Sequence, residues 1–311
     1  MNKNTDFINK MDKHLIAFKE ENQYLPSKSE KKRFLYSDLS DNFYPAVKYG
    51  LLQYIYENGI LLHDYVNHVR SSQAFAFNLL FFPLQKQVDL LKYLSQKIGK
   101  ELILIKNFEF EYSPESNILG EWRNDENRPE KYVTSVDVFI ETVTNEGDFI
   151  NFFFEVKFTE NEFGHCNIYD SKTIKDELKI GCNYSEKLLD DYKLCYLNGA
   201  KLQRTYFDEE FNPRLNFKPD MFVSKCPFAI YYQCLRNHSL SYKMDHKTYF
   251  CLVYHDENIE ILDQWKLYKD MCKDTSTLLE IKASDIVKSI EDKQYQKYFS
   301  DRYLLTHLTQ K

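Results

Sequence analysis

Between Ser71 and Ile98 the apolar residues recur at helical spacing, with Ser71 and Ser72 as candidate N-caps and Pro83 as a candidate break. After Gly99 the period changes from helical to two. The run Glu101–Tyr112 (ELILIKNFEFEY) closes on a strict Phe-Glu-Phe-Glu alternation and predicts a strand. Ser113–Lys131 is polar, carries Pro114, Gly120 and Pro129, and reads as a loop. Two β-rich runs follow, Tyr132–Val143 and Phe149–Thr159, and the short Gly-containing stretch between them, Thr144–Asp148, is a hairpin signal. Helical patterning returns over about Ile168–Leu197 and over Phe228–Ser239. Thr248–His255 predicts a strand, Ile259–Lys273 a helix, and Thr277–Lys282 a strand leading into a terminal helical stretch. Residues 2–62 read as mostly helical and charged, interrupted by a basic loop at Ser27–Arg33. The order predicts an α/β protein with helices around one mixed central sheet.

The hairpin carries a geometric consequence. With the turn centred on Glu146, facing residues have numbers that add to twice 146, or 292. Asp137 then faces Glu155, and Ser135 faces Lys157. Side chains alternate along a strand, so Asp137, Glu155 and Lys157 project from one sheet face. The other face carries Val136, Val138 and Ile140 against Ile150, Phe152, Phe154 and Val156, and is core. Phe139 and Phe153 on the charged face predict that a further element covers it. Two facing carboxylates repel and are costly to desolvate, a penalty that a divalent cation removes, and hard oxygen ligands with open positions suit Mg²⁺. The Val156 carbonyl completes the candidate ligand set, with Lys157 placed to orient or help deprotonate a bound water. Glu-x-Lys also occurs at Glu30, Glu177, Glu280 and Glu291, but only Glu155 has a partner strand that brings an acid opposite.

Composition narrows the class. The chain has 311 residues, 43% of them hydrophobic and 28% charged, with 24 Tyr, 24 Phe and a net charge of −6. These values suit a folded globular protein of one large or two smaller domains, not a strongly basic nucleic-acid coat protein. The longest apolar stretch, near Ala74–Leu84, is too short for a membrane span, and the charged Met1–Lys19 does not read as a signal peptide. Seven cysteines with no C-x-x-C pair favour reduced thiols and a cytoplasmic location. His63, His68 and the cysteines read as packing or surface residues rather than ligands.

The order Ser135-Val136-Asp137, hairpin, Glu155-Val156-Lys157, set within helix, three strands, helix and strand, resembles the PD-(D/E)xK nuclease superfamily. Arg70-Ser71-Ser72-Gln73-Ala74-Phe75-Ala76-Phe77-Asn78, then Glu155–Glu160, then Tyr232-Gln233-Cys234-Leu235-Arg236-Asn237 is similar to a restriction endonuclease branch of that superfamily, over residues 68–255. The resemblance implies a nuclease core at 63–257, a helical N-terminal extension at 1–62 and a C-terminal α/β extension at 258–311 packed on the core. It implies Mg²⁺-dependent hydrolysis of DNA phosphodiesters, with Mn²⁺ as a substitute, in restriction or phage defence. Asp137, Glu155 and Val156 would hold the metal, Lys157 would position the water, and Gln233 would face it. Arg70, Ser72, Gln73 and Asn78, at the start of the helix expected to cover the catalytic face, would meet the substrate together with Arg236; Glu160, Glu121 and Arg128 are further candidates. The chain departs from the pattern in having no Glu between Ser71 and Ile98, where the superfamily often places a further acid. Cutting both strands of a duplex commonly takes a dimer, so a homodimer is one expected assembly. A repair or RNA nuclease with the same site, and a non-catalytic nucleic-acid-binding subunit, are the alternative functions.

Overall fold

The computed structural model describes residues 3–24, 33–123, 128–129, 133–183, 187–188, 191–199, 202–209, 211, 214–215 and 226–305. The basic loop expected at 27–33 therefore lies, except for Arg33, outside the described residues. Helices α1 (Lys3–Glu21) and α2 (Lys48–Glu57) precede α3 (Ser72–Lys86) and α4 (Val88–Ile98). Strand β1 (Leu102–Tyr112), the two-residue strands β2 (Trp122–Arg123) and β3 (Arg128–Pro129), and the hairpin β4 (Val136–Thr144) and β5 (Phe149–Lys157) follow. The short helices α5 (Asn167–Asp170), α6 (Ile180–Asn183) and α7 (Pro227–Ile230) lead to α8 (Tyr232–Lys243) and β6 (Lys247–Tyr254). The chain continues with α9 (Ile259–Asp270), β7 (Leu278–Lys282), α10 (Ala283–Ser289) and α11 (Lys293–Tyr303).

The sheet has the order β1-β4-β5-β6-β7. β1, β4 and β5 pair antiparallel, and β6 and β7 add in parallel. This is a mixed sheet between helical layers, with helices at both ends of the chain, and it is consistent with a restriction-endonuclease-like core. One face packs Val138, Ile140, Phe152, Phe154 and Val156 under α3, α4, α10 and α11, with α1 joining the same core. The other packs Phe139, Phe153, Phe250 and Leu252 under α8 and α9. The charged face is covered by α8; α3, the helix expected to cover it, packs on the opposite face, because its apolar side chains bury against Val138, Ile140, Phe152 and Phe154. Each of these buried side chains contributes roughly 1.5–3 kcal/mol of hydrophobic stabilisation.

Ser71 caps α3 as the sequence predicts, its hydroxyl accepting the Ala74 amide at 3.1 Å. Pro83, expected to break the helix, stays inside it, and the break falls at Gln87, whose φ is 56°. A proline in a helix leaves the carbonyl four residues back without its donor. Here that carbonyl, of Leu79, accepts the hydroxyl of Tyr295 from α11 at 2.6 Å, so tertiary structure repairs the defect.

Among the described residues of 168–197 the expected continuous helix is not formed; the short helices α5 and α6 and single turns stand there instead. Gly181 explains part of this, because a Cβ there would lie 2.6 Å from the carbonyl oxygen of Leu194. The chain folds back on itself at that point, and a continuous helix cannot. The helix expected from Phe228 is interrupted at Tyr231, and α8 restarts where the Gln233 amide donates to the Phe163 carbonyl at 2.9 Å.

Candidate functional site

The register across the hairpin is the one the turn dictates. Val138 faces Phe154 and Phe139 faces Phe153, each pair adding to 292. The ladder stops there, one pair short of Asp137 and Glu155. Where a further ladder bond would stand, the Asp137 carboxylate (Oδ2) accepts the Val156 amide at 2.6 Å. The strands part at this point, and Val136 turns into the core under α8 rather than the face that holds Val138.

A third acid stands in the same row. On β1, Phe110 faces Val138 and Tyr112 faces Val136, so Glu111 is opposite Asp137. Glu111, Asp137 and Glu155 therefore lie across three adjacent strands. Glu111 has φ of 54°, a left-handed backbone that costs a non-glycine residue of order 1 kcal/mol and is typical of functional positions. The Phe-Glu-Phe-Glu alternation signalled an acidic face on β1. Its register against β4 was illegible, because the long connection from Ser113 to Ser135 leaves the pairing open.

Each acid has a dedicated partner. Glu155 is fully buried, accepts Asn237 Nδ2 at 2.8 Å, and has Lys157 Nζ at 2.9 Å. Lys157 also donates to Gln233 Oε1 at 2.8 Å. Gln233 and Asn237 are four apart on α8 and so share a helix face, a spacing that could have singled out Asn237 from sequence. Gln73 on α3 donates to Glu111 Oε1 at 2.7 Å and to the Leu61 carbonyl at 3.1 Å, and accepts the His63 amide at 2.9 Å.

The electrostatics follow from crowding. Burial pushes the Asp137 carboxyl well above its usual range; the charges of Glu155 and Glu111 push the same way, against Lys157 and the Val156 amide. Burial raises Glu111 too, and the charge of Glu155 adds to it, despite the opposing His63, Gln73 and Ser135. For Lys157, burial alone would lower the ammonium, but Glu155, Glu160 and Asp137 outweigh it and the net shift is upward. Lys157 is thus held as an ammonium, suited to orienting a water or offsetting negative charge rather than accepting a proton.

The other sequence candidates separate clearly. Arg70 pairs through Nε with Asp12 at 2.6 Å and reaches Thr159 at 3.5 Å, and Ser72 opens α3 beside it. Arg236 lies over the Tyr232 ring at 4.6 Å, and its buried Nε has no acceptor among the described residues. Asn78 is not with the acids. It is fully buried, accepts the Tyr44 amide at 2.7 Å and donates to the Asn42 carbonyl and the Tyr303 hydroxyl. Both of its N–H donors are used and the side chain is fully buried, so it offers nothing to a substrate.

Glu160 caps the turn after β5, accepting the amides of Phe158 and Thr159 at 2.9 and 3.0 Å. Glu121 is buried and bound to both the amide and hydroxyl of Thr134, while the side chain of Arg128 lies outside the described residues. His68 is stacked on Phe34, and all seven cysteines are free thiols.

Hard oxygen donors are present for a divalent cation: the two carboxylates of Asp137 and Glu155 and the Val156 carbonyl, with water able to supply the rest. Among the described residues no group of three or more His, Cys, Asp or Glu side chains is placed to hold a metal ion, so the protein's share would come from the two carboxylates and the carbonyl alone. A model of the family described as Restriction Endonuclease associating with ARP matches residues 12–304. The chain belongs to that family. The match takes in every strand of the sheet and each of the acids. No curated protein matches the chain, and no solved structure does. No helix among the described residues is long and apolar enough to cross a membrane.

Proposed function

We propose that this member of the family is a Mg²⁺-dependent endonuclease of the PD-(D/E)xK type that hydrolyses DNA phosphodiester bonds in restriction or phage defence. The observation that carries the reading is the row Glu111, Asp137 and Glu155 across three strands, with Lys157 beside Glu155. Asp137, Glu155 and the Val156 carbonyl would hold the cation, Mg²⁺ or Mn²⁺. A bound divalent ion lowers the pKa of its water and neutralises charge building on the phosphate. Lys157 positions the attacking water and offsets charge. Gln233 holds Lys157, Asn237 holds Glu155, and Gln73 holds Glu111. Arg70 and Ser72 at the start of α3, with Arg236 of α8, would supply contacts to the phosphate chain. A reduced cytoplasm suits the free thiols, and a homodimer would supply two such sites for the two strands.

Incubation of the purified protein with plasmid DNA in Mg²⁺ or in EDTA tests this. Nicking should require Mg²⁺ and disappear in Asp137→Ala, Glu155→Ala and Lys157→Ala. Activity retained in all three would overturn the assignment.

One observation favours a second reading, a non-catalytic nucleic-acid-binding subunit. Glu155 is already engaged by Lys157 and Asn237, so the site is partly neutralised by its own side chains. DNA binding without Mg²⁺-supported cleavage, unchanged by Asp137→Ala, would favour it.

A further inference from the structure

A cleft of about 900 Å³ opens beside the acids. Glu111 and Ser135 line it, and so do the apolar and aromatic side chains of Tyr54, Leu61, Leu62 and Tyr65. Leu61 and Tyr65 are 73% and 72% exposed, so nothing described covers them. Along its lining the charges are acidic, at Asp64, Glu109 and Glu111, with His63 as the basic side chain. Such a lining repels a phosphate chain, while its carboxylates accept hydrogen bonds from amino groups. A smaller cavity of about 310 Å³ shares His63 and Tyr65 with it and is richer in donors: Arg70, Ser71, Ser72 and Thr159 are suited to a phosphate, beside one carboxylate, Glu160, which accepts the amides of Phe158 and Thr159.

The cleft wall is also tied to the site. Gln73 binds the Leu61 carbonyl and the His63 amide with the same amide group that holds Glu111. Moving the wall would move an acid of the site.

We infer that the cleft receives one unpaired nucleobase of the substrate, stacked against Tyr65 and Leu61, with its phosphate in the smaller cavity. This rests on the nuclease reading and names its substrate class: a strand with an unpaired nucleotide, single-stranded, bulged or extruded, next to the phosphate that is cut. A paired base in a duplex is stacked and bonded to its complement and cannot enter. Extrusion costs least where the base is already unpaired. Aromatic stacking supplies affinity for any base, and the carboxylates favour bases that carry an exocyclic amino group.

The test measures the Kd of the wild-type protein in Ca²⁺, without turnover, for one fluorescent oligodeoxynucleotide in three forms. These are a single strand, a perfect duplex, and a duplex with a one-adenine bulge. The bulged and single-stranded forms should bind about 10-fold or more tighter than the perfect duplex. Replacing the bulged adenine with an abasic site, or Tyr65→Ala, should remove most of that gain. Equal affinity for all three forms, or a gain that survives both changes, would overturn the inference. Cleavage of the perfect duplex that depends on Glu155 but shows no such preference would sink the base cleft and leave the nuclease reading standing. Absence of binding and cleavage for every form would sink both.

Discussion

The carboxylate of Asp137 accepts the amide of Val156 at 2.6 Å, at the point where the ladder between β4 and β5 ends. The bond fixes Asp137 between parting strands, with Glu111 on one side and Glu155 on the other. Three acids gathered in a mostly buried row raise the cost of ionising the middle one, and the fold retains them against that cost.

Replacing Asp137 with Asn keeps an acceptor for Val156 and removes one charge from the row. In EDTA, Asp137→Asn should be more stable than wild type by roughly 1 kcal/mol, or about 2 °C in melting temperature, while losing cleavage. Mg²⁺ should raise the melting temperature of the wild type and not of the variant. A variant that melts lower in EDTA would contradict the crowding.

Lys157 depends on Gln233 for its position. Gln233→Leu should lower the cleavage rate by about 10–100-fold with little change in DNA affinity, because a displaced ammonium no longer orients the water. Single-turnover rates against binding isotherms would show the split, and an unchanged rate would remove Gln233 from the site.

Asn78 separates structural from functional polarity. Asn78→Ala leaves the Tyr44 amide without a partner in the core and takes from the Asn42 carbonyl one of its two donors, Arg302 being the other, and should cost about 1–3 kcal/mol in urea unfolding. The cleavage rate per folded molecule should be unchanged. A selective loss of activity at full stability would return Asn78 to the site.

Acid should weaken the fold through its buried histidines. Burial lowers His238 from 6.5 to about 3, and burial with the nearby Arg70 charge lowers His68 to about 4. Between 6.5 and those values the unfolded chain binds a proton that the folded chain does not. Stability therefore falls as pH falls, by about 1.4 kcal/mol per pH unit for each histidine. His238→Phe should flatten the dependence of the urea midpoint between pH 6.5 and 4, although it also leaves the Tyr268 hydroxyl without its bond to the ring. An unaltered slope would exclude His238 as its source.

Much of the site was legible before any coordinates. The hairpin turn is short and its flanking strands alternate, so one count places Asp137 opposite Glu155 and Lys157 beside it. The candidate Gln233 proves to touch Lys157. Glu111 escaped notice because a strand shows which residues share a face but not which residues face them across a long loop. Gln73 and Asn78 illustrate the same gap, since both are polar residues on one helix and only packing sends one to the acids and the other into the core.

Sequence alone determined what is local: helix and strand periods, the N-cap at Ser71, and the register of a hairpin whose two arms are covalently close. Tertiary structure decided what depends on distant partners: a proline kept inside α3 because Tyr295 serves the Leu79 carbonyl, a helix abandoned where Gly181 meets Leu194, and a third acid brought into the row. The physical reason is that a short turn constrains its neighbours by chain geometry. Contacts across long connections are chosen by burial and hydrogen-bond satisfaction summed over the whole fold.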